Sequence, residues 1–167
     1  MTTVEAEARM DEMLQIHTGL AAQFESRRAW VLAVCECARL SLVHIPEGED
    51  RPRIAIEAAE AWARGRGSVA DARAAAHASR SMELRDASTS AANEAAVVAQ
   101  DIADVVDLGL GSEGVDAIFR VASAAYRAAY TRDSNFASAD AAQLAALEQC
   151  ADIVRSHLPA PFLGGQA

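Results

Sequence analysis

Proline occurs at four positions only, 46, 52, 159 and 161. Proline blocks helix interiors, so its scarcity leaves long stretches in which nothing forbids a helix. Those stretches carry apolar residues at helical spacing and almost no period-two alternation, the mark of strands. Alanine supplies most of the 51% hydrophobic content, and aromatics contribute only 5%. Alanine is the strongest helix former but buries little area per residue. The expectation is an all-α protein with closely packed helices and thin side-chain layers.

At 167 residues the chain is long enough for one domain with a true core. About seven helices are predicted, forming a single-domain bundle or a short array over residues 1–158, with a flexible tail at 159–167. The first runs from near Thr3 to Phe24. Ser26 caps a second, to about Val43, on which Trp30, Val31, Val34, Cys35, Ala38 and Leu42 form one stripe. Pro46 and Gly48 end it. Asp50 is the expected N-cap of a third helix, with Pro52 in its first turn and Gly65 and Gly67 after it.

Ser68-Val69-Ala70-Asp71 has the pattern of a capping box and opens a fourth helix, to about Arg85. A fifth follows Ser88-Thr89-Ser90, to about Leu108. Gly109, Gly111 and Gly114 mark an interhelical turn. Their spacing matches a dinucleotide fingerprint, but that pattern has meaning only after a strand. Ser112 opens a sixth helix to Tyr130, Thr131 to Ser138 is a polar turn, and Ala139 to Leu158 is a seventh helix.

The net charge is −9, and every residue in the Lys+Arg count is arginine. Acids dominate after Asp86, which disfavours direct nucleic-acid binding and suits a basic partner. The three cysteines, Cys35, Cys37 and Cys150, do not make a disulfide framework. Neither a signal peptide nor an apolar run of about 20 residues is evident, so a cytoplasmic protein without a membrane span is expected. No Glu-x-x-His pair or His-x-x-x-His pair occurs, and Cys35-x-Cys37 points its thiols to different helical faces. No metal site, cofactor or catalytic residue is expected. The cysteines read as small buried hydrophobes, and His77 as a packed or hydrogen-bonded helix residue.

One segment carries more charge than a helix start needs. Glu47, Glu49, Asp50, Arg51, Arg53 and Glu57 crowd around Pro52, with Trp62 nearer the end of the same helix. In one reading the arginines and carboxylates pair with each other and fix the turn. In the other they form a polar patch that recognises a partner's charged groups. Trp62 is either a core anchor or an exposed contact residue.

The same residues resemble a family of bacterial immunity proteins, the "immunity protein five-like" group. The likeness spans residues 29–80. It rests on Ala29-Trp30 through Cys37-Ala38-Arg39, on Glu49-Asp50-Arg51-Pro52-Arg53 followed by Ala55-Ile56-Glu57-Ala58-Ala59 and Trp62, and on Ala72-Arg73-Ala74-Ala75-Ala76. It implies an all-helical domain that neutralises a toxin by binding it. The resulting expectation is a non-enzymatic protein that occludes a protein partner, such as a basic toxin. The alternatives are a small-molecule or catalytic pocket around Arg51, Arg53 and Glu57, and a self-associating homodimeric module.

Overall fold

The computed structural model describes residues 24–80 and 113–157. Every regular element among them is helical: α1 (Phe24–Arg39), a 3-10 turn (Leu42–His44), α2 (Arg51–Ala63), α3 (Val69–Arg80), α4 (Glu113–Asp133) and α5 (Phe136–His157). The all-α class therefore holds. Five α-helices are described where seven were expected; the expected first and fifth helices, and the tail after 158, lie outside the described residues.

α1 is the hub, packing against α2, α4 and α5. Trp30, Val31, Ala33, Val34, Cys35, Cys37 and Ala38 are all fully buried. A helix buried on several sides needs small residues where its neighbours come closest, and alanine and cysteine supply them. The two thiols do face different helices. Cys35 Sγ lies 3.8 Å from the Ile56 carbonyl on α2, and Cys37 Sγ lies 3.7 Å from the Cys150 carbonyl on α5. Burial pushes the Cys35 thiol far above its ordinary pKa. The cysteines thus behave as core residues. At the surface, His157 Nε2 sits 2.7 Å from Glu36 Oε2 and joins the end of α5 to α1.

α1 stops at Arg39, four residues before the expected end. Leu40 N–H and Ser41 N–H donate to the carbonyls three residues back, and Ser41 Oγ donates to the Ala38 carbonyl at 2.7 Å. The hydroxyl takes the acceptor that the next helical amide would use, and the chain tightens into the 3-10 turn.

α2 ends in a Schellman motif. Gly65 N–H donates to the Trp62 carbonyl and Arg66 N–H to the Ala61 carbonyl, with Gly65 at φ 72°. The box opening α3 is complete. Ser68 Oγ accepts from Asp71 N–H at 3.1 Å, while Ser68 N–H donates to Asp71 Oδ2 at 3.2 Å. Between the two motifs Gly67 lies against the end of α2. A methyl there would stand 3.1 Å from Ala61 Cβ and 3.1 Å from the Trp62 nitrogen. Gly67→Ala is expected to cost about 1 kcal/mol, read as a lowered urea midpoint with unchanged slope.

The polar turn between α4 and α5 is shorter than expected. α4 continues to Asp133 and α5 begins at Phe136, so only Ser134 and Asn135 separate them. Ser134 adopts a left-handed φ of 48°, and Asn135 Oδ1 accepts from Ala137 N–H at 2.9 Å as the N-cap of α5. Gly114, expected in a turn, lies in the first turn of α4. Gly109 and Gly111 lie outside the described residues.

Candidate partner-binding surface

The crowded charged segment begins with a tight turn. Glu49 N–H donates to the Pro46 carbonyl at 3.1 Å, and Gly48, third in that turn, has φ 87°. A positive φ there defines a type II turn and calls for glycine. The turn delivers the chain to α2 with Asp50 at the N-cap position, yet Asp50 makes no side-chain capping bond. The cap is Glu49 instead, whose Oε1 accepts from Arg51 N–H at 3.0 Å. Asp50 is drawn off by Arg53 one turn along the helix, at 3.0 Å.

Each arginine of the segment is paired with a carboxylate. Arg51 forms an ion pair with Glu49, and Arg53 bridges Asp50 and Glu57, the latter at 2.8 Å. The Arg51 guanidinium holds the Glu49 carboxyl below its usual pKa. Farther along α2, Glu60 accepts from Arg39 Nε on α1 at 2.8 Å and from Arg64 Nη1 at 2.8 Å. Burial raises the Glu60 pKa, but the two guanidinium hydrogen bonds outweigh it and hold the carboxyl below the usual value. The result is a lattice of fixed charges along α2, tied to the end of α1.

Glu47 is exposed and makes no ion pair among the described residues. Glu47, Glu49, Asp50 and Glu57 are four carboxylates against the two arginines Arg51 and Arg53, so the segment keeps a negative balance. Trp62 is not part of this outer face. It is 8% exposed, in the core, with the Arg27 guanidinium 5.5 Å from its ring centre. Ile54, on α2 beside Arg53, and Val43, in the 3-10 turn, are exposed apolar residues of the same region.

Among the described residues, Arg53 lines a depression that neither Arg51 nor a histidine shares. This shallow depression of about 210 Å³ is lined by Arg53, Asp50, Glu49, Glu47, Gly48, Pro46, Ile45 and Leu42, and neither Arg51, Glu57, His44 nor His77 is among its described lining residues. His44 is half-buried, and burial lowers its pKa. His77 is an exposed helix residue of α3, so of the two expectations, packed or hydrogen-bonded, packing in the core does not hold: its neighbour Ala76 takes the inward position. Among the described residues no three His, Cys, Asp or Glu side chains come together in a way that could hold a metal ion. Nor is any described helix long and apolar enough to cross a membrane.

Comparisons with protein-family models, with curated proteins and with solved structures return no match.

One group of polar residues was missed in the sequence. Ser123, Tyr126, Arg127, Tyr130 and Thr131 recur at intervals of three and four along α4 and, with Gln143 of α5, line a cleft of about 490 Å³. The spacing is that of a helix face, and a face of hydroxyl- and nitrogen-tipped side chains beside a buried apolar one was the available signal. Of the acids after Asp86 that suit a basic partner, Asp101, Asp104 and Asp107 lie outside the described residues, whereas Glu113 opens α4 and Asp116 is exposed on it.

Proposed function

We propose that this is a non-enzymatic, helical binding protein whose Glu47–Arg53 turn and outer α2 face meet a basic protein partner, as the resemblance to immunity proteins suggests. The observation that supports it most is the pairing pattern. Arg51 and Arg53 are paired with Glu49, Asp50 and Glu57 at the surface, and of the two arginines Arg53 alone is among the described lining residues of the shallow depression there. A catalytic or small-molecule site would need those groups to converge.

Side chains already fixed by ion pairs lose little freedom when a partner arrives, which lowers the cost of docking. The unmatched carboxylates would steer a basic surface toward the turn, with fast association at low salt and slower association at high salt. Exposed Ile54 and Val43 supply apolar contact beside the charges. The partner would be neutralised by having its own working surface covered, in a cytoplasmic setting.

The test is capture from the native host at low and high salt, comparing wild type with Glu47→Arg/Glu57→Arg and with the control Asp152→Arg on α5. The expected result is a basic protein held by wild type and control at low salt, released at high salt, and absent with the double variant. Recovery of no basic protein by the wild type at low salt, or equal recovery by the double variant, would sink the reading.

A further inference from the structure

The cleft between α4 and α5 is independent of the α2 surface and is built differently. Its described lining residues are Ser123, Tyr126, Arg127, Tyr130, Thr131 and Gln143, and its volume of about 490 Å³ falls in the range of small-molecule sites. No carboxylate is among those lining residues, and their single formal charge is that of Arg127, in a chain with a net charge of −9. Every one of the six side chains has a hydrogen-bond donor.

The aromatic wall is held in place before any ligand arrives. The Tyr126 and Tyr130 rings are nearly parallel, with centroids 6.4 Å apart and planes 5° from each other. Phe136 packs against Tyr130 at 4.9 Å, its ring tilted by 40°. Phe136 is the first residue of α5, so the α4–α5 corner fixes its position. There Arg132 makes two 2.9 Å bonds to Asp133, Ser138 Oγ donates to Asp133 at 2.7 Å, and Asn135 caps the helix. A corner so heavily bonded is more than a two-residue connection requires. Tyr130 is itself exposed, one turn of α4 before that corner.

We propose that the cleft binds a planar aromatic ligand carrying a carboxylate. The ring stacks on the tyrosine wall, an arrangement favoured for offset aromatic pairs. The carboxylate accepts from Arg127, which is also engaged within the fold, and from the hydroxyl and amide donors around it. A cationic ligand would meet Arg127 and find no acid among the described lining residues.

The probe is 4-hydroxybenzoate, titrated into the full chain and followed by calorimetry and by chemical shifts of the tyrosine rings. Saturable binding is expected, about tenfold tighter than that of cyclohexanecarboxylate or benzylamine. Tyr130→Leu, which keeps apolar bulk, should weaken the probe about tenfold. Arg127→Gln, at an exposed position, should remove the preference for benzoate over benzamide and keeps the test decisive if the tyrosine variant does not fold. Absence of saturable binding by the wild type overturns the proposal. So does benzylamine binding as well as the probe, or an unchanged preference in Arg127→Gln. None of these outcomes depends on the α2 surface, so a partner captured through the Glu47–Arg53 turn neither rescues nor refutes them.

Discussion

Trp30→Ala is expected to lower the free energy of unfolding by about 3–5 kcal/mol, the range for deleting a large buried aromatic. Trp30 is the largest fully buried side chain, and it sits on the helix around which α2, α4 and α5 assemble. The loss should fall toward the upper end of that range. The cost of a cavity depends on how far its walls can collapse, and here many walls are alanine, with no side-chain length to extend. Trp30→Phe keeps most of the volume and should lose less, about 1–2 kcal/mol. Urea unfolding followed by circular dichroism measures both, with Trp62 left as a fluorescent reporter. A loss below 1 kcal/mol for the alanine variant would mean that α1 is not the centre of the core.

Glu60→Ala should cost about 2 kcal/mol, the second largest effect expected here. Glu60 is 8% exposed and its carboxylate satisfies Arg39 and Arg64 together, linking the last turn of α1 to the end of α2. The figure is below that for a fully buried ion pair because both guanidinium groups reach solvent and can be rehydrated. The pH dependence has a definite sign. The folded protein holds the Glu60 carboxyl below its ordinary value of 4.5. The unfolded chain therefore takes up the proton first as pH falls. The stability that Glu60 contributes is complete above 4.5 and is lost as pH falls through the lower folded value. Urea midpoints of wild type and Glu60→Ala should accordingly differ at neutral pH and converge in acid. Asp133, held at about 2 by Arg132 and then Ser138, titrates in both proteins and drops out of the difference.

The helices were legible in the sequence because alanine runs, scarce proline and local punctuation all point the same way. The Ser68–Asp71 box and the Gly65 stop act within a few residues, so their letters suffice. Three details escaped. Asp50 was the better cap by residue type, but Arg53 one turn later claims its carboxylate and leaves the capping to Glu49. The end of α1 was hidden because Leu42 continues the apolar stripe while Ser41 turns the backbone away. The tyrosine-lined cleft needs Gln143 from a second helix, and that juxtaposition is set by packing alone. In the charged turn, the residues themselves were plain, whereas which arginine pairs with which acid required coordinates.

The hub position of α1 has a consequence during synthesis. Its contact with α5 joins Cys37 to Cys150, 113 residues farther along the chain. At about 5–20 residues per second, a ribosome needs about 6–23 s to make the intervening polypeptide. Throughout that interval one greasy side of α1 waits without its cover from α5, and nascent chains of this protein should be clients for holding chaperones until α5 emerges.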